Sequence, residues 1–468
     1  MRLSGGIFIE LLGKNSNLMD SKSVDMSTMP LRAGHLHVWF AASLGQVAGA
    51  ALATLTGIIL PLVGIVRTSS LSSLAQGAIA SSSLAGIMIG SLLFGRLSDR
   101  RGYLLYFRLC PAMILAASLA VVFVDSIAYL PAAMLVMGLG IGGEYSLDSD
   151  YISQILPRRW RLTAVGAAKA LSSIGNIAVA AICYFVLRDG SDPHIWNRLM
   201  IIISALAALM LLCRLRFTQS PIWLAAHGFQ PQAQQAARRL LGDGVTVATP
   251  EAAAAGHTPW REMFRGGNLR KVIFSGVPWA CEGIGVYGIG VFLPALIMAL
   301  GLESAAADPY RHVVESVELT TLVNFVILPG FILGLCFIGR WRPVRMQTWG
   351  FVLCAAGLAL LLTSYRLHWP LWCSIGGFMI FELFLNAGPH LITFIIPTRI
   401  YDISERGSGA GIAAAFGKAG AVIGVFFMPQ LLKWGGIELA LGVTIAVHLA
   451  GGVVTAVMGR RIMPPKRG

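Results

Sequence analysis

Gly90-Ser-Leu-Leu-Phe-Gly-Arg-Leu-Ser-Asp-Arg-Arg-Gly-Tyr103 decides how this chain is read. The stretch begins apolar and ends in a loop holding Asp99, Arg100, Arg101 and Gly102. Its glycines let helices and a turn approach closely. Asp99 is suited to accept hydrogen bonds at a neighbouring helix N-terminus, where the helix dipole favours an anion. The arginines belong with water and phospholipid head groups. On either side lie the apolar runs 74–97 and 104–124. Each is long enough for the roughly 20 residues that cross a bilayer as a helix.

The rest of the chain repeats this pattern. Its 468 residues are 56% hydrophobic and only 12% charged, with a mean hydropathy of +0.72. A soluble domain carries about 25% charge. Apolar runs fall at 38–66, 74–97, 104–124, 127–155, 163–187 and 197–215, then at 271–300, 314–339, 347–366, 369–399, 407–432 and 436–458. With lipid as solvent, the backbone must be helical or form a closed barrel. Uninterrupted runs exclude the alternating barrel pattern. The expected fold class is an all-α membrane protein with twelve transmembrane helices in two pseudo-symmetric six-helix halves.

The net charge of +14 is not a nucleic-acid footprint, because the basic residues sit in short loops between the runs. Arg100 and Arg101, then Arg158, Arg159 and Arg161, then Arg340, Arg342 and Arg345, and finally Arg460, Arg461, Lys466 and Arg467 all fall on one side. The positive-inside rule places that side, and both termini, in the cytoplasm. The seven cysteines lie within or at the ends of apolar runs and form no C-x-x-C pair, so neither a metal site nor a disulfide frame is expected. No cofactor is expected. Residues 1–37 lack a basic-then-apolar leader and read as a cytoplasmic tail, as does 459–468. Residues 216–270 form the one long polar insertion, a cytoplasmic linker between the halves at 38–215 and 271–458, with a helix expected over Gln230–Arg239.

The opening loop, placed after the second of twelve runs, resembles the signature between helices 2 and 3 of the major facilitator superfamily, whose members are secondary transporters. That resemblance implies alternating access with a site near the midplane between two repeats. It assigns Asp99, Arg100, Gly95 and Gly102 to gating. Arg340-Trp-Arg-Pro-Val-Arg345 stands where the second copy of the loop belongs, without the aspartate. Arg161-Leu-Thr-Ala-Val-Gly166 and Arg406-Gly-Ser-Gly-Ala-Gly411 open corresponding spans of the two halves. Gln219-Ser-Pro-Ile-Trp-Leu224 resembles an element that follows span 6 in sugar porters and organic-ion carriers.

Ionisable groups at membrane depth are costly and usually face a cavity or a partner. Span 4 holds Glu144 and Asp148, four apart and on one helix face, and Asp150 elsewhere. Span 5 holds Lys169, Ser172, Ser173 and Asn176; span 7 holds Trp279, Glu282 and Tyr287; span 10 holds Glu382, Asn386 and His390; span 11 holds Lys418. Two carboxylates out of water on one helix face do not both keep their charge easily, which suits Glu144 and Asp148 to carry a proton. A structural bridge from Glu144 to Lys169, and end contacts from Asp148 or Asp150 to Arg158 or Arg161, are the plainer alternatives. Lys169 and Lys418, one from each half, are suited to grip an anion. Trp279 and Tyr145 offer an aromatic wall with a hydroxyl donor.

Three stretches are similar to proton–phosphate symporters. These are Gly140-Ile-Gly-Gly-Glu-Tyr145, Gly388-Pro-His-Leu-Ile-Thr-Phe-Ile-Ile-Pro397, and Arg406 through Ala421 with its Gly417-Lys418. The resemblance implies substrate contacts for Tyr145, Ser172, Trp279, Tyr287, His390 and Lys418, with Lys169 one turn from Ser172. It implies proton coupling for Glu144, joined here by Asp148 and Glu282. The departures are equally plain. Span 1 carries no acid over Gly45–Gly57, Gly283 replaces the span 7 aspartate beside Glu282, and His390 replaces an asparagine.

The sequence therefore reads as a membrane carrier, not an enzyme, acting as a monomer in the bilayer of the inner or plasma membrane. Its partners are protons and a small-molecule solute, and nucleic acid is not among them. The expected function is proton-coupled uptake of a small organic anion or zwitterion. Export in exchange for protons, inorganic phosphate symport and solute reception without transport stand beside it.

Overall fold

The computed structural model describes residues 24–66, 72–124, 126–190, 192–247, 260–301, 308–338, 340–401 and 406–463. Among the described residues, eleven continuous stretches are apolar and long enough to cross a bilayer. They are span 1 (Ala33–Val66), span 2 (Ser73–Ser98), span 3 (Leu104–Phe123), span 4 (Ile127–Ile155), span 5 (Thr163–Leu187), span 6 (Pro193–Cys213), span 7 (Gly266–Val291), span 8 (Pro309–Phe337), span 9 (Pro343–Arg366), span 10 (Leu371–Pro397) and Gly409–Ile462. The last contains spans 11 and 12, which meet where Gly435 and Gly436 leave helical geometry, Gly436 with φ +62°. The molecule is thus an all-α membrane protein of twelve spans.

Close helix contact is built with glycine. Gly138 and Gly142 of span 4 bring that helix onto Ser83 and Ile87 of span 2 so tightly that a Cβ at either position would overlap the facing carbonyl. Several spans are broken close to their ionisable side chains. Span 5 breaks at Leu171, between helices Arg161–Ala170 and Ser172–Leu187. Span 10 breaks at Gly388, whose ψ of −96° and following proline separate Leu371–Ala387 from Pro389–Ile400. Span 7, expected to reach residue 300, ends at Val291, and a short helix Leu293–Ala299 follows Phe292.

The segment expected to be a tail is structured from Val24 onward, whereas residues 1–23 and 464–468 lie outside the described residues. Strand β1 (Val24–Asp25) pairs in parallel with β2 (Val245–Thr246) of the linker. Span 1 begins at Ala33, and Arg32 donates to the carbonyls of Leu241 (2.8 Å) and Asp243 (3.1 Å). The linker helix Gln230–Leu241 presents Ala233, Ala236, Ala237 and Leu241 to a core shared with Met26, Met29, Tyr103, Tyr151 and Phe217. The N-terminal strand and the linker are therefore packed on the first half.

The largest core crosses between the two halves at the side opposite the termini. There Tyr310 donates to the Leu187 carbonyl (3.0 Å) and Arg311 to that of Arg188 (2.9 Å), joining span 8 to span 5. Gly57 of span 1 lies against the Val291 carbonyl, and Gly77 of span 2 against that of Phe426. Toward the side of the termini each half has its own apolar core. The halves are closed against each other on the far side.

Candidate functional site

A cavity of about 80 Å³ lies between the halves. Spans 1, 4 and 5 supply Gly49, Thr54, Tyr145, Lys169, Ser172 and Asn176. Spans 7, 8 and 10 supply Tyr287, Asn324, Phe331, Glu382, Asn386 and His390. The cavity therefore takes in five residues singled out from sequence as substrate contacts: Tyr145, Lys169, Ser172, Tyr287 and His390.

Tyr145 is the meeting point. Lys169 Nζ lies 5.4 Å from the centre of its ring and Lys418 Nζ 4.9 Å. Lys418 also donates to the Tyr287 hydroxyl at 3.3 Å and lies 5.2 Å from that ring. Two ammonium groups from opposite halves thus approach one aromatic ring, an arrangement favoured by the ring quadrupole and opposed by their mutual repulsion. The Tyr145 hydroxyl fits only because Gly49 has no side chain, since a Cβ there would overlap it. Trp279 does not line the cavity. It packs edge-on against Phe394 (ring centres 4.7 Å apart), over which Lys169 also sits at 5.5 Å.

The acids separate into two groups. Glu282, 2% exposed, pairs with His390 Nδ1, tying span 7 to the second piece of span 10. His390 is held edge-on by Phe331 and Phe394. Glu144 and Asp148 lie elsewhere, and their partner is neither Lys169 nor Arg158 or Arg161. It is Arg214 at the end of span 6, fully buried, 2.6 Å from Glu144 Oε2 and 3.2 Å from Asp148 Oδ1. Arg214 also donates to the Ala41 carbonyl through Nε (3.2 Å) and Nη2 (3.1 Å), donates to that of Phe107 (3.4 Å), and stacks on the Phe107 ring. Glu144 Oε1 and Asp148 Oδ2 are buried without a hydrogen-bond donor. Gly45 of span 1 lies against the same pair. A Cβ at that position would overlap Asp148 Oδ2 and stand 2.8 Å from Glu144 Oε2.

Sequence reasoning missed Arg214 because an arginine at the end of an apolar run normally reaches out to head groups. Its one visible signal was a pair of acids on a single face of span 4, which calls for a shared cation. Asn324 was missed as well, a lone amide in an apolar helix. At the opening loop, Gly102 has φ +84°, and a Cβ there would collide with the Gln219 carboxamide. Gln219 Oε1 accepts from the backbone N–H of Tyr103 (2.7 Å) and Leu104 (3.2 Å), satisfying the first donors of span 3. Arg100 is exposed, Gly95 has ordinary space beside Ser146, and the Asp99 side chain lies outside the described residues.

A membrane-embedded polar cavity between two six-span halves defines a carrier. The sequence matches the family described as Sugar (and other) transporter over residues 18–459, and the chain belongs to that family. It is 25% identical over 441 residues to the Inner membrane metabolite transport protein YgcS of Escherichia coli (strain K12), covering 93% of this chain and 94% of that protein. It is also 25% identical over 403 residues to Inorganic phosphate transporter 1-1 of Arabidopsis thaliana, covering 77% and 76%. Its fold matches that of the proton:xylose symporter XylE of E. coli with a TM-score of 0.72 at 19% identity, over 92% of this chain and 96% of that one. The protein is a membrane transporter of that family, with the fold of the major facilitator superfamily.

Proposed function

We propose that this transporter takes up a small organic anion or zwitterion together with protons, across the inner or plasma membrane, with both termini in the cytoplasm. The observation that carries this reading is the convergence of Lys169 and Lys418, one from each half, on Tyr145 at the cavity. Two cations facing each other across a closing gap repel. An anion between them cancels that repulsion and draws the halves together, so substrate binding favours closure on the side of the termini. Ser172, Tyr287 and His390 complete the shell, with Trp279 buttressing its wall through Phe394.

Glu144, Asp148 and Arg214 form the first proton-carrying group. Two carboxylates share one guanidinium, so a bound proton makes the cluster neutral, and its loss leaves one uncompensated buried charge. Glu282 with His390 is the second, within the substrate shell. Asp99, Arg100, Gly95 and Gly102 serve the gate beneath. The YgcS protein is named a metabolite transport protein and XylE a proton:xylose symporter, and both names support this reading. Inorganic phosphate is the second reading, supported by the phosphate-transporter relative and by Tyr145, Tyr287 and Lys418.

The test is uptake into proteoliposomes with an imposed proton gradient, using labelled organic acids and phosphate in parallel. Gradient-driven accumulation of an organic acid is expected, with loss in Lys418→Ala and loss of the gradient's effect in Glu144→Gln. Accumulation of phosphate alone establishes the second reading. Solute binding without counterflow refutes both.

A further inference from the structure

The cavity has two chemically different ends. At one end Lys169 and His390 line it, and Lys418 stands behind its wall, against the rings of Tyr145 and Tyr287. At the other, each of three spans carries a hydrogen-bonding side chain seven or eight residues closer to the far side of the membrane. Asn176 follows Lys169 by seven residues, Asn324 precedes Phe331 (the ring against His390) by seven, and Glu382 precedes His390 by eight.

These far-end groups keep open valences. Asn324 is 7% exposed, lines the cavity and makes no hydrogen bond within the protein among the described residues. Asn176 accepts from Thr54 at 3.0 Å, which leaves its NH₂ group for a ligand. Asn386 donates to the Glu382 carbonyl (2.8 Å) and carboxylate (3.3 Å), which leaves its own oxygen. Amides that both donate and accept match hydroxyl groups, which do the same. A carboxylate such as Glu382 accepts from a hydroxyl and repels a second anion. A bare anion would fill the cationic end and leave these amides unpaired, and a neutral polyol would leave two ammonium groups with one nearby carboxylate, Glu282, already held by His390.

We infer that the substrate is a sugar acid: one carboxylate held at Lys169 and Lys418, and a chain or ring of hydroxyls laid against Asn176, Asn324, Asn386 and Glu382. The inference rests on the anion reading above and narrows it.

The test is thermal stabilisation of the full-length purified protein by gluconate and glucuronate, against lactate, inorganic phosphate and glucitol at equal concentration. A sugar acid is expected to stabilise at concentrations where the other three do not. Asn324→Leu should weaken its apparent affinity by up to roughly tenfold, the size of one hydrogen bond. With Glu382→Gln, which removes the charge, it should erase the preference over lactate. Should Asn324→Leu fail to fold, as its own melt without ligand would reveal, the near-isosteric Asn324→Asp removes the donor instead. Lactate or phosphate acting as strongly as the sugar acids overturns this inference and leaves the anion reading standing. Glucitol acting as strongly overturns the sugar-acid assignment from the other direction. Silence from every anion, in wild type and Lys418→Ala alike, removes the anion reading itself.

Discussion

Replacing Arg214 with methionine should destabilise the protein by about 3–5 kcal/mol, the cost of stripping the partner from a buried ion pair. The figure follows from what Arg214 touches. It is fully buried, reaches Glu144 and Asp148, donates to the carbonyls of Ala41 and Phe107, and stacks on the Phe107 ring. Each hydrogen bond to a charged group contributes about 1.5–3 kcal/mol, and the contacts do not add, since they share one guanidinium. About 4 kcal/mol is roughly a thousandfold change in the folding equilibrium. Most of that cost is the desolvation of two carboxylates left facing each other, not the lost contacts themselves. The triple variant Arg214→Met, Glu144→Gln, Asp148→Asn removes those charges and should recover most of the loss. The assay is denaturant unfolding in one detergent, comparing wild type, single and triple variants. A single variant within about 1 kcal/mol of wild type, or a triple variant no better than the single, refutes the reasoning.

Three further outcomes follow from the packing. Gln219→Leu removes the acceptor for the first N–H groups of span 3 and should cost about 1 kcal/mol in the same unfolding assay, with no effect expected if those donors find water instead. Gly57→Val places a side chain into the Val291 carbonyl and should pry the halves apart on the far side. Hydrogen exchange at 187–190 and 309–314 should then rise, and unchanged protection there would contradict the closed far side described above. Arg32→Ala breaks the ties to Leu241 and Asp243 and should speed limited proteolysis within 230–247 by roughly tenfold, whereas an unaltered cleavage rate would mean that the strand pairing alone holds the linker.

The spans were legible because lipid demands a crude signal, length and apolarity, that no neighbour can override. Lys169 and Lys418 were legible for the same reason, since a cation inside such a run stands out. Arg214 was not, because position at a run's end says nothing about depth. Its burial depends on the Phe107 ring of span 3 beneath the guanidinium and on the span 4 carboxylates that meet it, both from other parts of the chain. The pairing of Glu282 with His390 needed the break at Gly388, and a Gly-Pro step announces a break without giving its direction. Strand β1 escaped notice because two residues pairing across more than two hundred leave no periodicity to read.

Gly45 makes the acidic pair a matter of mutational history as well as of chemistry. Any side chain at this point is crowded, since even alanine would meet the Asp148 carboxylate. The bare glycine and the crowded charges opposite it are therefore coupled: a side chain at one calls for a smaller or displaced group at the other. An acid placed at position 45 alone forces the Asp148 carboxylate aside and adds a third negative charge beside one guanidinium, whereas a shortened residue at 148 would give it room.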